Sequence, residues 1–326
     1  MELYFILRRT LLGAAAAAPF VKAGVSFAAI QQSSVNFAVP AGACDCHIHI
    51  IPESERYPFW AGRTYTPEVS SVAASIAVHR AIGVDRVVIV HPSFYGADMR
   101  ATMYGLRELG AAARAVAVID DKITIRELDE MHRAGVRGVR LNFQTFAMAG
   151  QPTDVEAARR LFQKTLAQIQ GRPWHIQLFT NMAVIEALQG DIRSSPLPVS
   201  VDHFGMAPAT LGIQQTGFHT LLSLVKAGKA YVKISGAYRV SSLPNDYSDV
   251  APLAKALISA NPERILWGSD WPHPPGVAPP GHSPTVPAAM LDIDNGRLLN
   301  LVGLWAPDAA LRKAILVDNP RRLYDF

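Results

Sequence analysis

The sequence predicts a single (β/α)₈ barrel, and three observations carry that expectation. Short Val- and Ile-rich segments alternate with stretches of helical periodicity from residue 43 to near the C-terminus. Unusual polar residues fall at the ends of several of those segments, where barrel enzymes carry their chemistry. With 326 residues, 49% hydrophobic and 18% charged, the chain can bury one large core. The structural rival is an open doubly wound sheet. It normally uses fewer strands, and the chain has no glycine-rich phosphate loop.

The elements follow in order. Ala43–Ile50 reads as strand one, and Glu68–Ile82 as a helix with Pro67 at its start. Arg86–His91 is strand two, followed by helical Asp98–Ala112. Ala115–Ile119 is strand three, with a short helix at Ile125–Ala134. Val136–Asn142 is strand four, and helix Asp154–Ile169 has Thr153 or Asp154 as its cap. Trp174–Phe179 is strand five, with helical Met182–Gln189. Val199–Phe204 and Ala230–Ser235 are strands six and seven, followed by helices Phe218–Lys226 and Val250–Ser259. Arg264–Ser269 is strand eight. Two last helices cover about Ala288–Leu301 and Pro307–Val317.

Residues 1–38 stand apart as a leader and linker, with the barrel domain at 39–326. Arg8-Arg9-Thr-Leu-Leu12 precedes an Ala-rich apolar run to Val21, the pattern of a twin-arginine export signal. A periplasmic protein is expected; the alternative is a cytoplasmic one with an inert N-terminal extension. The apolar run is too short for a membrane span, so none is expected in the mature protein. Net charge is +4, from 31 basic and 27 acidic residues without a long basic run, which argues against a nucleic-acid partner. A small anionic substrate needs only two or three placed cations. Cys44 and Cys46 read as buried thiols.

Alternation along strand one puts Asp45, His47 and His49 on one face, with Cys46, Ile48 and Ile50 toward the helices. Strand two ends in His91; strand four offers Arg140 and Asn142; strand five, His175 and Gln177. Strand six ends Asp202-His203, strand seven leads to Tyr238-Arg239, and strand eight to Ser269-Asp270-Trp-Pro-His273. His91 and His175 can equally be satisfied core histidines, and His273 a structural one. Asp202 is expected to point away from the lumen if His203 points in. His47, His49, His203 and Asp270 are different, since four titratable groups at one barrel end carry a desolvation cost that packing alone would not select. Such a set can hold one divalent metal. It can also act bare, with imidazoles donating to a carbonyl oxygen and aspartate taking a proton from water. Strand four lacks a lysine to bridge two metals, so a binuclear centre is not expected.

Asp45-Cys-His47-Ile-His49, Val-Asp202-His203-Phe-Gly205, Val232-Lys-Ile-Ser-Gly236 and Trp267-Gly-Ser-Asp270-Trp-Pro-His273 resemble the amidohydrolase superfamily. They most resemble the branch of 2-pyrone-4,6-dicarboxylate lactonase, sulfomuconolactone hydrolase and galactarolactone isomerase. The likeness runs from about Gly42 to Phe326. It implies that His47, His49 and His203 surround a reacting carbonyl and that Asp270 activates water. It implies that Tyr65 hydrogen-bonds substrate and that Arg140 and Arg239 hold substrate carboxylates. A further arginine expected after strand four is absent from Asn142-Phe-Gln-Thr-Phe146. A lactone with one carboxylate, or with hydroxyls read by Asn142 and Gln144, therefore fits better than a dicarboxylate, and His175 is a further candidate contact. The expected activity is lactone hydrolysis without a cofactor. The alternatives are a mononuclear zinc or manganese hydrolase or decarboxylase, using ligands from His47, His49, His175, His203 and Asp270; a lactone isomerase; or a small-molecule binding protein. Oligomeric state is not legible.

Overall fold

The computed structural model describes residues 32–151 and 153–326. The expected leader lies outside the described residues as far as residue 31. Eight parallel strands stand side by side in chain order. They are β1 (Cys44–Ile48), β2 (Arg86–Val90), β3 (Ala113–Ala117), β4 (Val136–Asn142), β5 (His175–Phe179), β6 (Val199–Val201), β7 (Ala230–Lys233) and β8 (Ile265–Leu266). The barrel closes between β8 and β1 through the chain that continues β8. Cys46 N–H donates to Trp267 O (3.0 Å), Asp270 N–H to His47 O (2.9 Å) and His49 N–H to Trp271 O (2.8 Å). Closure therefore places Asp270 directly beside the two histidines of β1.

The main helices are α1 (Val72–Ile82), α2 (Arg100–Leu109), α3 (Ile125–Ala134), α4 (Val155–Gln168), α5 (Met182–Ala187), α6 (Phe218–Lys226), α7 (Ala251–Ala260), α8 (Asn295–Trp305) and α9 (Asn319–Tyr324). Several starts follow from capping. Ser71 accepts from Ala74 N–H, Thr124 and Glu127 form a reciprocal box, and Asp154 accepts from Ala157 N–H. The helix expected from Ala288 begins instead at Asn295, because Asp294 caps it at Arg297 N–H. Among the described residues no helix is long and apolar enough to cross a membrane. Residues just ahead of the expected boundary at Val39 dock on α8: Ser33 N–H donates to Asp294 (3.0 Å) and Asn300 Nδ2 to Ser34 O (3.0 Å).

Apolar packing occurs at two radii. Val87, Ile89, Val139, Ile176, Val201 and Val232 pack outward with the helices in one large core. Cys44, Cys46, Val88, Val116, Tyr231 and Leu266 form a separate cluster with Leu323 and Tyr324 of α9. That second cluster fills the lower lumen, with α9 as its plug. Burial of the two thiols matches the sequence reading; their direction does not. Pairing runs Cys44 with Arg86 and Asp45 with Val87, then shifts so that Ile48 faces Ile89. Two residues of β1 thus oppose one of β2, the signature of a β-bulge. The bulge breaks the simple alternation expected for strand one. Cys46 and His47 both face inward, while Asp45 turns to α1, its Oδ2 3.1 Å from His79 Nε2. Asp45 Oδ1 accepts from the N–H groups of His47 (3.0 Å) and Ser269 (2.9 Å), tying β1 to the end of β8.

Candidate active site

The upper lumen is organised around Asp270, whose backbone is left-handed (φ 65°). Its Oδ1 faces three imidazoles: His47 Nε2 and His49 Nε2 at 3.6 Å each, and His203 Nε2 at 3.8 Å. These separations exceed hydrogen-bond length, so the four atoms enclose a space instead of saturating one another. His47 Nε2 and Asp270 Oδ1 are buried and without a hydrogen-bond partner among the described residues. Asp270 Oδ2 is held differently, accepting from Tyr238 OH (2.7 Å) and Arg239 Nε (2.5 Å). Burial alone would raise the Asp270 pKa. Arg239 and the histidines outweigh it and hold the carboxyl well below the usual range. Burial lowers His203 to about 4 and holds His47 well below its ordinary value, so both rings are neutral at pH 7.

The other ring nitrogens fix the tautomer of His49 and leave those of His203 and His47 free to follow the ligand. His49 Nδ1 lies 2.8 Å from Val90 O, so it donates and leaves a lone pair on Nε2 in the neutral ring. His203 Nδ1 lies 2.8 Å from Ser235 Oγ, a hydroxyl that can donate or accept and so allows the proton on either ring nitrogen. His47 Nδ1 lies 3.4 Å from both Lys233 Nζ, a donor, and Asp202 Oδ1, an acceptor, so its surroundings accommodate the proton on either ring nitrogen. Two glycines make the crowding possible. A Cβ on Gly268 would meet His47 Cβ at 2.8 Å, and one on Gly236 would meet His203 Nδ1 at 3.0 Å.

Beneath this group lies a second polar layer that the sequence reading missed. Lys233 Nζ donates to Gln177 Oε1 (2.7 Å) and pairs with Asp202 Oδ1 (3.2 Å). Asp202 Oδ2 accepts from Gln177 Nε2 (3.0 Å) and Arg140 Nε (3.4 Å). Burial would raise Asp202, but Lys233 and His47 hold its pKa well below the ordinary value. The expectation that Asp202 points outward is corrected. His203 and Phe204 both adopt positive φ (48° and 55°), and this turn lets consecutive residues enter the lumen. Lys233 and Ser235 alternate with Tyr231 along one strand face, a period-two signal that could have flagged both.

The remaining expected residues divide. Tyr65 is buried against Phe94 and lines a small cavity of about 30 Å³ with His49, Arg140, His203, Arg239 and Asp270. The two arginines expected to clamp carboxylates differ. Arg239 is committed to Asp270 and, through Nη2, to Pro274 O (3.0 Å). Arg140 stacks on Phe179 (4.8 Å), and apart from its Nε contact the guanidinium is unpaired among the described residues. Asn142 is not aimed at a ligand. Its Oδ1 accepts from Gln144 N–H and Thr145 N–H, and its Nδ2 donates to Thr145 Oγ1. Gln144 accepts from Asn181 Nδ2 (3.2 Å). The structure does not bring His175 to this group. As the first residue of β5 it sits low in the barrel, its Nδ1 on Arg137 O (2.8 Å) and its ring 5.1 Å from Tyr324. His91 binds Thr102 and Gly96 O, and His273 binds Asn295 and Tyr238, as expected for structural histidines.

The ligand atoms of His47, His203 and Asp270 lie within 4.8 Å of one another. In the tautomer with Nδ1–H, which Asp202 Oδ1 and Ser235 Oγ can accept, His47 and His203 turn Nε2 lone pairs inward with that of His49 and the unpartnered Asp270 Oδ1, and these residues fit one cation.

An eight-stranded barrel with two histidines on its first strand, a third after the sixth and an aspartate after the eighth defines an amidohydrolase-type enzyme. The chain belongs to the amidohydrolase family, whose model matches residues 44–326. It is 34% identical over 294 residues to 4-sulfomuconolactone hydrolase of Rhizobium radiobacter, covering 90% of this chain and 93% of that protein. It is 32% identical over 307 residues to 2-pyrone-4,6-dicarboxylate hydrolase of Comamonas testosteroni, covering 90% and 93%. A crystal structure from Agrobacterium tumefaciens superposes with a TM-score of 0.73 at 25% identity, covering 90% of this chain and 99% of that one.

Proposed function

We propose that the protein hydrolyses a small lactone carrying one carboxylate. The observation that carries this reading is the convergence of three imidazole Nε2 atoms on Asp270 Oδ1 beside the Arg140 guanidinium, which touches Asp202 through Nε alone. Two relatives named as hydrolases, one of a lactone and one of a pyrone, support it.

Arg140 binds the carboxylate by charged hydrogen bonds and sets the ring against the histidines. Water sits between Asp270 Oδ1 and His49 Nε2, both acceptors, which aim its lone pair at the carbonyl carbon. As the carbon–oxygen bond forms, Asp270 takes a proton from water. His47 and His203 donate Nε2–H to the developing oxyanion. The ring C–O bond then breaks, and Asp270 returns the proton to the leaving oxygen, giving a hydroxy acid. Arg239 and Tyr238 hold Oδ2, so Oδ1 is the oxygen that exchanges the proton.

The proposal includes action without a resident metal, supported by Arg239 as a built-in positive partner for Asp270. The unpartnered His47 Nε2 and Asp270 Oδ1 favour a second reading, in which His47, His49, His203 and Asp270 hold one divalent cation. Such an ion supplies Lewis-acid polarisation of the carbonyl and a lowered water pKa. The test is kcat/KM on five- and six-membered monocarboxylated lactones, measured with metal content before and after chelation. Hydrolysis that survives metal removal is expected. Loss restored by zinc or manganese selects the second reading, and no hydrolysis of any lactone overturns both.

A further inference from the structure

The space above Asp270 is too small for a substrate by itself, about 30 Å³. It adjoins a larger cavity of about 190 Å³, and Ser93, Arg140 and Thr145 line both. The walls of the larger space come from Trp60 in the first loop, Val118 and Ile119 after β3, Leu141 on β4 and Leu161 on α4. Its polar neighbours are already engaged. His91 bonds Thr102 Oγ1 (2.8 Å) and Gly96 O (3.0 Å), and burial lowers its pKa to about 3, so it is neutral. Asn142 is spent on capping the turn at Thr145. Arg63 donates from Nε to Thr66 Oγ1 (2.7 Å) and from Nη1 to Trp60 O (3.0 Å), and its guanidinium lies 5.6 Å from the Phe59 ring. What such a wall offers a ligand is mainly carbon surface. The uncommitted cationic edge of Arg140 stands at the boundary between the two spaces.

We propose that this compartment is a specificity subsite for an apolar substituent, so that the preferred substrate is a monocarboxylated lactone bearing an alkyl or aryl arm. The inference rests on the lactone reading above and narrows it. Arg140 holds the carboxylate between the compartments, the lactone carbonyl enters the histidine group, and the arm lies against Trp60, Ile119 and Leu141. Size agrees. An apolar cavity of roughly 150 Å³ is enough to hold benzene, so this one accepts an aryl ring or a short chain. Chemistry agrees as well: a second carboxylate there would be desolvated against Ile119 and Leu141 with no free cation facing it except the spare Nη2 of Arg63 at the rim.

The experiment measures kcat/KM for a monocarboxylated γ-lactone without an arm, then with methyl, propyl, pentyl, phenyl and carboxymethyl arms. Each methylene buried should raise kcat/KM by about fourfold until the compartment is full, and the carboxymethyl compound should fall below the propyl one. Ile119→Trp, a substitution at a half-buried wall position, should flatten the alkyl series. Leu141→Ala should extend it to longer arms. If the unsubstituted lactone is hydrolysed but the series is flat, or if the carboxymethyl arm is best, the subsite proposal is overturned and the lactonase reading stands. If none of the compounds is hydrolysed, the lactonase reading itself has failed.

Discussion

The barrel holds two buried ionic groups at different depths, and they are built for different work. The lower one, Lys233 with Asp202 and Gln177, is sealed: both charges have zero exposure, and the ammonium donates to Gln177 Oε1 and pairs with Asp202 Oδ1. The upper one, Asp270 with Arg239 and Tyr238, keeps one carboxylate oxygen paired and leaves the other unpartnered against three imidazoles. Asp202 Oδ1 faces an ammonium 3.2 Å away and is spent on holding geometry, whereas Asp270 Oδ1 faces neutral rings across an open space and is left for chemistry. His47 belongs to both, with Nδ1 on Lys233 and Nε2 toward Asp270. The sealed layer thereby orients a ring that the open layer uses, with Lys233 and Asp202 each 3.4 Å from Nδ1.

The largest expected effect is on the open group. Asp270→Asn keeps the shape but cannot accept a proton from water, and should lower kcat by about 10³- to 10⁴-fold, the upper range for general-base catalysis. Circular dichroism should be nearly unchanged, while Tm falls because buried Arg239 loses its anionic partner. Retention of more than a tenth of the activity would remove Asp270 as the base.

The sealed group should answer differently, through stability. Lys233→Met strands the Asp202 carboxylate in the lumen, and breaking a buried pair by removing one partner costs about 3–5 kcal/mol. Denaturant unfolding should show that loss. Adding Asp202→Asn removes the stranded charge and should recover much of it. The double variant should still have impaired turnover, because both groups that face His47 Nδ1 have been changed. A double variant with full activity would reduce the lower layer to packing.

These two layers also mark what the sequence showed and what it hid. Strand order, the histidines of strand one, His203 and Asp270 were legible because period-two alternation and position at strand ends are local properties. Asp202 was misread because alternation assumes ordinary backbone, and the positive φ at His203 cancels that assumption. Asp45 was misread for a similar reason, the bulge that follows it. His175 lies on the inner face of its strand, as alternation allows, yet alternation does not report height along the barrel. The pairing of Arg239 with Asp270 joins segments from two different strand ends, and no local pattern encodes it.

That pairing sets the third effect. Arg239→Met removes a charged hydrogen bond worth about 1.5–3 kcal/mol, or roughly 10- to 150-fold in kcat/KM. Asp270 works as the anion, and without Arg239 its burial raises the pKa. The acid limb of the pH profile should therefore move to higher pH. The loss should be equal on lactones with and without a carboxylate, while Arg140→Met should harm only the carboxylated ones. A loss confined to carboxylated substrates would return Arg239 to the role of substrate clamp.

The smallest effect belongs to Tyr238→Phe. The phenol donates to Asp270 Oδ2 at 2.7 Å and lies 3.3 Å from His273 Nδ1, so two partners are affected. Neither is Oδ1, the oxygen that faces the histidines. Burial raises the phenol's pKa well above its usual value, so it stays protonated and serves as a donor at neutral pH. Its loss leaves Arg239 still bonded to Oδ2. A neutral hydrogen bond contributes about 0.5–1.5 kcal/mol, which corresponds to roughly two- to tenfold in kcat/KM. The acid limb should shift in the same direction as in Arg239→Met, and by less. A loss exceeding that of Arg239→Met, with the acid limb unmoved, would mean that Tyr238 itself delivers the proton to the leaving oxygen. In that case Asp270 would be confined to activating water, and the two oxygens of its carboxylate would no longer divide the work as the hydrogen bonds suggest.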